Sequence, residues 1–189
     1  MAGHSKWAQI KRGKAVTDAA RSRVFSKFAK EIALESKKSG GNIGSPTLSA
    51  IITRAKASNM PKENIERAVA KGTSKDSGDL EQVTYECYGP AGVAIVVLAV
   101  TDGRNRTTQE IKLILTKNNI DLGAPGSCLW AFTKKGVREL IPNEPLLELS
   151  GADEESLQKL LTLLDEHDDV QVVFTNARGY ESTLSEEND

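Results

Sequence analysis

Residues 81–102 read EQVTYECYGPAGVAIVVLAVTD, and the pattern of this stretch decides the fold class. Val83, Tyr85 and Cys87 alternate with the residues between them, which is the two-residue period of a half-buried strand. The segment GPAG at 89–92 predicts a turn into a second strand at 93–100, whose residues are all apolar. The two strands are therefore predicted to pair as a hairpin in a sheet.

The residues before this hairpin follow a helical period. Apolar side chains recur every four residues over 20–32, which predicts an amphipathic helix that stops at the Ser-Gly-Gly of 39–41. A Ser-Pro pair at 45–46 opens a second helix, and a Met-Pro pair at 60–61 opens a third. Gly72 is the predicted stop signal of the third helix. This part of the chain is therefore predicted to be a three-helix unit.

Strands and helices alternate after the hairpin. The predicted elements are a helix with a capping box at Thr107 and Glu110, a strand over 128–132, a strand over 146–149, a helix over 157–164 and a strand over 170–174. Two strand-helix-strand passages predict a ferredoxin-like α/β sandwich. The fold class is therefore α+β, with an N-terminal three-helix domain before the sandwich.

The composition changes near residue 75, and this change predicts the domain organisation. We predict a basic helical nucleic-acid-binding domain over 1–75, a polar linker over 73–79 and an α+β domain over 80–176. Residues 177–189 are polar and acidic with little to bury, so they are predicted to be a disordered tail.

Charge is distributed very unevenly along the chain. The net charge is −1, yet residues 1–75 hold 16 Lys/Arg and 5 Asp/Glu, while residues 76–189 hold 9 and 21. A basic cluster attracts phosphates by its field and by counterion release. The clustered candidates for nucleic-acid contact are Lys6, Lys11, Arg12, Lys14, Arg21, Arg23, Lys27 and Lys30. Two other interpretations stay open: a merely solvated charged face, or mutual neutralisation of the two halves within one molecule.

Several function classes are disfavoured. Cys87 and Cys128 have no partner at zinc-ligand spacing and are interpreted as core residues, so neither a metal nor a cofactor is expected. The apolar run at 91–100 is too short to span a membrane. No nucleophile motif is present, and the cluster at 167–169 (His-Asp-Asp) is interpreted as structural, so a non-enzymatic, cytoplasmic protein is predicted. The Arg/Lys-rich start also fits an organelle transit peptide, and that alternative stays open.

Five segments carry a family resemblance. They are MAGHSKWAQIK at 1–11, NMPKENIERAVAKG at 59–72, YECYGPAGVAIVV at 85–97, TDGRNRT at 101–107 and LLDEHDDVQVVFTN at 163–176. In this order they closely resemble the YebC family. The resemblance implies a basic helical domain followed by α+β domains, in proteins described as probable DNA-binding transcriptional regulators or as ribosome-associated translation factors. The functional residues that it implies are His4, Ser5, Lys6, Trp7, Lys11 and Lys14, together with Arg104, Asn105 and Arg106.

The chain departs from the family pattern at one place. Family members usually carry an additional α/β domain between a KKGV-like strand end and an IP-containing strand. Here the Gly-Val pair at 136–137 is followed almost directly by Leu-Ile-Pro at 140–142, so that domain is absent. Any function that needs the missing domain is therefore in doubt for this chain.

These observations predict a regulator of gene expression that binds nucleic acid, either ribosomal RNA and the ribosome or duplex DNA. A protein-protein interaction module without nucleic-acid contact is the alternative of another class. Trp7 would either stack on a base or pack the leader onto the fold, and His4 would contact phosphate or be solvated. Arg104 and Arg106 would bind phosphate at a helix start, or belong to a solvated loop in which Asn105 caps the helix.

Overall fold

The computed structural model describes residues 5–13, 17–75, 80–136 and 139–184. The chain divides into two compact units, which we describe separately. The helical unit contains Val16–Val83 and Val100–Asn105, and the sheet unit contains Met1–Ala15, Thr84–Ala99 and Arg106–Asp189. The described helices are α1 Lys6–Gly13, α2 Asp18–Ser39, α3 Pro46–Ala57, α4 Lys62–Thr73, α5 Arg104–Lys117 and α6 Gly151–Asp165. The strands are β1 Glu81–Tyr88, β2 Ala94–Thr101, β3 Phe132–Lys134, β4 Leu140–Pro142 and β5 Val170–Thr175.

The helical unit is built around the apolar stripe of α2. Thr17 caps this helix by accepting a hydrogen bond from the Ala20 amide at 3.1 Å, and Gly40 ends it with a φ of 61°. The stripe meets the apolar faces of α3 and α4 in one core. Its buried members are Ile32, Leu48, Ile51, Ile52, Ala55, Met60, Ile65 and Ala68. The predicted three-helix arrangement is therefore present in α2–α4.

Gly72 has a different role from the predicted stop signal. Helix α4 continues through it to Thr73. A β-carbon at position 72 would overlap the Ala33 carbonyl oxygen and lie 2.6 Å from the Ser36 β-carbon. The missing side chain therefore lets α2 and α4 approach closely, and the Ser36 hydroxyl donates across the contact to the Val69 carbonyl at 2.7 Å.

The main sheet has three strands in the order β1-β2-β5. Every residue of β2 is buried, and β2 pairs antiparallel with β5 in a register that places Ile95 opposite Thr175 and Leu98 opposite Val172. Strands β3 and β4 form a separate antiparallel pair. The four buried leucines of α6 are Leu157, Leu160, Leu161 and Leu164. The predicted α+β class and the order of helices before sheet are confirmed.

Three local predictions after the hairpin were wrong. The segment predicted as a strand over 128–132 forms a 3₁₀ turn at Leu129–Ala131, and β3 begins only at Phe132. The segment at 146–149 forms a single bridge between Leu147 and Ala177 instead of a strand. Helix α5 begins three residues before Thr107, whose hydroxyl donates to Asp169 at 2.6 Å, so Thr107 is no helix cap.

The N-terminal leader and the C-terminal tail both pack differently from the predicted domain organisation. Residues 177–184 are packed: Tyr180 is 1% exposed, Thr183 is 3% exposed, and the Thr183 amide donates to the Val173 carbonyl. The predicted disordered tail is therefore corrected for 177–184, and 185–189 lie outside the described residues. The leader groups with the sheet unit instead of the three helices. A domain boundary at 75–80 stays a prediction, since 76–79 also lie outside the described residues.

Candidate nucleic-acid interface

Residues 6–13 of the basic leader form helix α1, which is docked within the sheet unit. The Trp7 amide donates to the Gly179 carbonyl at 3.1 Å. The Lys6 Nζ lies 2.7 Å from the Glu154 carboxylate of α6. The Lys11 Nζ lies 3.2 Å from the Asp165 carboxylate and donates to the Thr183 carbonyl at 3.1 Å. Two of the predicted phosphate contacts therefore already have acidic partners in the chain.

The Lys6 ion pair belongs to a small network on α6. The Glu154 carboxylate accepts hydrogen bonds from Lys6 and from the Tyr180 hydroxyl, the latter at 2.8 Å. These two donors lower the pKa of Glu154, and the hydrogen bond to Glu154 raises the pKa of Lys6. The pair is therefore charged at neutral pH, and a competing phosphate must displace a carboxylate to reach Lys6.

Trp7 anchors α1 from its buried side. The residue is 3% exposed, and Lys11 lies over its ring with the Nζ 5.9 Å from the ring centroid. Its Nε1 is buried and has no hydrogen-bond partner within the described parts of the chain. Of the two interpretations of Trp7, this burial fits packing, because a ring inside the fold offers no free face to a base.

The remaining leader and α2 candidates differ in exposure. Arg12 is exposed on α1, and Arg21 is exposed with its guanidinium 3.8 Å from Asp18. The α2 residues Arg23, Lys27 and Lys30 are half-buried. His4 and Lys14 lie outside the described residues. The predicted cluster is therefore spread over two units and is no single continuous arm.

The segment that holds helices α2–α4 carries more cations than acids. Residues 17–75 contain 12 Lys/Arg and 5 Asp/Glu. Two of these acids, Glu31 and Glu35, are only 7% exposed, so they contribute little to the surface. Glu31 pairs with Arg54 at 3.7 Å, and Glu35 pairs with Lys38 at 2.7 Å. The exposed cations that the sequence interpretation did not single out include Lys56, Lys62, Arg67 and Lys71.

The arginines at the start of α5 contact carboxylates. The Arg104 guanidinium lies 3.5 Å from Glu81 within the helical unit. The Arg106 guanidinium lies 3.0 Å from the buried carboxylate of Asp169 within the sheet unit. Asn105 lies inside the helix and is therefore not its cap. The structure thus gives Arg106 a structural role, while its phosphate role stays a prediction.

One group of potential metal ligands occurs within the described residues, namely Glu110, His167 and Asp169. The His167 Nδ1 accepts a hydrogen bond from the Asp169 amide at 3.1 Å, which places the ring proton on Nε2, 3.0 Å from the Glu110 carboxylate. Asp169 accepts from Thr107 and from the Arg106 guanidinium. Each potential ligand atom already has a protein partner, and the Arg106 guanidinium occupies the position beside Asp169 that a metal ion would need. This arrangement supports the structural interpretation.

The two cysteines are core residues with free thiols. Cys87 is 1% exposed and Cys128 is fully buried, and the Cys128 thiol donates to the Cys87 carbonyl at 3.1 Å. Burial, and secondarily Cys128, raises the pKa of Cys87 from 9.0 to about 12.

Both thiols are expected to resist alkylation in the folded protein and to react at once in denaturant, because burial blocks access to both and the raised pKa of Cys87 withholds its thiolate. Titration with a chromogenic disulfide at pH 8 measures this. The folded pKa of Cys87 lies above the unfolded value, so its contribution to stability is complete below pH 9 and is lost as the pH rises toward 12. Rapid labelling of both thiols without denaturant would contradict the prediction.

The fold and these charges define an α+β protein with a basic helical unit and a leader helix packed within the sheet unit. Residues 5–75 match the family model described as TACO1/YebC protein N-terminal domain, and residues 80–145 match the model described as TACO1/YebC second and third domain. The chain belongs to this family.

Relatives and a solved structure agree with this assignment. A Leptospira biflexa protein is 44% identical over 98% of this chain and 75% of its own length. A Chlorobium luteolum protein is 41% identical over 96% of this chain and 73% of its own length. Both are named "Probable transcriptional regulatory protein". The crystal structure of a conserved hypothetical protein, Aq1575 from Aquifex aeolicus, is similar with a TM-score of 0.79 and 32% identity, over 92% of this chain and 97% of that one.

One relative bears on the predicted missing domain. A Chloroherpeton thalassium protein is 34% identical in an alignment of 249 positions that covers 100% of both chains. This chain has only 189 residues, so the relative contains residues without a counterpart here.

Among the described residues, no helix is long and apolar enough to cross a membrane.

Proposed function

We propose that this protein is a non-enzymatic, cytoplasmic regulator of gene expression that binds nucleic acid through the helical unit. The observation that carries the proposal is the surface of α2–α4, where cations outnumber acids and two of the five acids are buried against Arg54 and Lys38. Such a surface attracts a polyanion without sequence information, through phosphates and counterion release. The names of the relatives support regulation of gene expression as the cellular role.

Folded ribosomal RNA is the target that we favour. The first half of α4 presents Glu63 and Glu66 next to Lys62 and Arg67. A helix inserted into the major groove of DNA is flanked by phosphates, which would repel these two carboxylates. Cations that are scattered over a protein surface can instead contact the phosphates of an irregularly folded RNA. Duplex DNA remains the second candidate because the relatives are named as transcriptional regulators.

The leader contributes less in this proposal than its charge suggests. Among its candidates on α1, Arg12 is exposed and available to contact phosphate. Lys6 and Lys11 must first exchange Glu154 and Asp165 for a phosphate. Contact through these two lysines is therefore expected to follow binding by the helical unit, with an exchange of one anion for another that adds little net affinity.

The decisive test reverses charge on the helical unit. The triple variant K56E/K62E/K71E changes exposed residues, so its melting temperature is expected to stay nearly constant. If the three lysines contact phosphates, the slope of log affinity against log salt becomes shallower by about 2 to 3. Binding to a structured ribosomal RNA fragment and to a DNA duplex of equal length, each at two salt concentrations, measures the change.

A matched variant controls for net charge. K112E/K117E/K159E makes the same charge change at three exposed lysines of the sheet unit. It is expected to weaken binding only slightly, since no contact is removed. Equal losses in the two variants would refute a binding surface on the helical unit.

The cellular target is separated from its alternatives by sedimentation. The protein is expected to co-migrate with ribosomes in a gradient of lysate and to leave those fractions after ribonuclease treatment. Migration with DNA that resists ribonuclease would favour the transcriptional candidate. Migration in a complex that resists all nucleases would instead identify a protein-protein interaction module.

A further inference from the structure

An exposed tryptophan on the sheet unit has no role in the surface described above. Trp130 lies on the 3₁₀ turn Leu129–Ala131 and is 69% exposed, the highest value among the exposed large apolar residues of the described chain. Its neighbour Leu129 is 40% exposed, and Tyr88 at the end of β1 is 43% exposed. Single exposed apolar residues are ordinary, but two adjoining aromatic residues on a rigid element are typical of a contact surface.

Trp130 is held in place by polar contacts at its edge. Its Nε1 donates to the Tyr88 hydroxyl at 2.8 Å, and that hydroxyl donates to the Ser127 carbonyl at 2.6 Å. The Trp130 carbonyl accepts from the side chain of Asn143 at 3.1 Å. Because the polar atoms of both rings are satisfied inside the chain, their apolar surfaces are what remains for a ligand.

The exposed charge of the chain segment around Trp130 selects among ligands, since the nearby Glu86 carboxylate is buried and bound by three backbone amides. Residues 122–138 contain no aspartate or glutamate, although residues 76–189 contain 21. The same stretch contains Lys134 and Lys135, which follow Trp130 closely and are exposed. An aromatic surface beside cations fits a nucleotide, whose base stacks while its phosphates contact the lysines.

We propose that Trp130 and Tyr88 form a stacking platform for an unpaired nucleic-acid base, with Lys134 and Lys135 contacting the adjoining phosphates. This inference rests on the proposed function and adds a second nucleic-acid-binding site. That site distinguishes single-stranded from double-stranded nucleic acid, whereas the helical unit recognises charge alone. A duplex keeps its bases stacked on one another, so the platform discriminates in favour of single strands and loops.

Tryptophan fluorescence tests the platform directly. The chain has two tryptophans, of which Trp7 is buried and Trp130 exposed, so quenching by an added oligonucleotide reports on Trp130. Oligouridylate is expected to quench the emission, and an RNA duplex of equal length is expected to leave it nearly unchanged. The W130A variant is expected to bind oligouridylate about 5- to 100-fold more weakly, with an unchanged salt slope.

Two further variants make the result specific. W130F keeps a stacking ring and is expected to retain most of the affinity for oligouridylate. The comparison of W130F with W130A therefore separates loss of stacking from a general effect of changing residue 130. L113A removes an exposed leucine of α5, which is 54% exposed, and is expected to bind like the parent protein.

Two outcomes would overturn the platform. The first is equal oligouridylate affinity of W130A and the parent, which leaves the charge-reversal test of the helical unit unaffected. The second is a dimeric parent protein that W130A converts to a monomer without loss of RNA affinity, because Trp130 would then bind a second copy of the chain. Loss of salt-dependent binding in the helical-unit variant, with Trp130 quenching retained, would support both the platform and the proposed main surface as separate sites. Unchanged salt dependence in that variant, with Trp130 quenching retained, would support the platform and count against the proposed main surface.

Discussion

The Trp7→Ala variant is expected to unfold with a free energy about 3 to 5 kcal/mol lower than the parent protein. Trp7 is 3% exposed and is the buried residue of α1. An eight-residue helix is too short to persist alone in water, so loss of its anchor releases the helix instead of leaving a cavity. Lys6 and Lys11 both lie on α1, so release of this helix also breaks their ion pairs with Glu154 and Asp165.

Urea denaturation measures the stability loss, and limited trypsin digestion measures the release of α1 through cleavage after Lys6, Lys11 and Arg12. Trp7→Phe is the matched control, because it keeps most of the buried ring and removes an Nε1 that has no partner among the described residues. Its expected cost is about 1 kcal/mol. An alanine variant as stable and as protease-resistant as the parent would show that α1 is not held by Trp7.

The docking of α1 changes how the leader can be tested. From the sequence alone, replacing Lys6, Lys11, Arg12 and Lys14 by glutamate is expected to cost little stability. In the structure this replacement places carboxylates against Glu154 and Asp165, so it repels the leader from α6. A loss of binding in that variant would mix displaced structure with lost phosphate contacts. The exposed lysines of the helical unit are the cleaner positions for charge reversal.

Local periodicity predicts the elements whose signal lies within their own residues. The four-residue repeat of α2 and the Ser-Pro start of α3 are local signals. Helix α2 begins and ends close to the predicted positions, and α3 begins at the predicted Ser-Pro pair. The alternation of β1 and the apolar run of β2 likewise reflect one element each. These features could be predicted because the period of a helix or strand is set by its own backbone geometry.

Long-range contacts could not be predicted in this way. The Lys6–Glu154 contact joins residues 148 positions apart, and no local pattern marks either residue as paired. The sequence therefore leaves open whether Trp7 packs the leader onto the fold, and it predicts a disordered tail after Asn176, although Tyr180 and Thr183 are packed. The candidate site shows the same limit: sequence located the excess of positive charge but not the carboxylates that Lys6, Lys11 and Arg106 contact.

Glu86 shows how a buried acid escapes a pattern-based interpretation. The alternation of β1 places Glu86 on the outward face, yet it is 4% exposed. Its carboxylate accepts hydrogen bonds from three backbone amides: Gly126 at 2.6 Å, Cys128 at 2.7 Å and Leu129 at 3.2 Å. One buried side chain thus organises the loop that leads to Trp130. The signal is absent from the sequence because the donors are main-chain groups some 40 residues away.

The Glu86→Ala variant is accordingly expected to lose about 3 kcal/mol or more of stability, because three backbone amides are left without an acceptor. Glu86→Gln is the matched control of nearly equal volume. Its carbonyl oxygen can accept from Cys128, but its NH₂ group then faces another donor, so an intermediate loss is expected. Urea denaturation gives the stabilities, and amide exchange at Gly126 and Cys128 should accelerate in both variants relative to the amides of β2. Unchanged exchange at these two amides would mean that the loop is held by its own backbone, and the Trp130 surface would then not depend on Glu86.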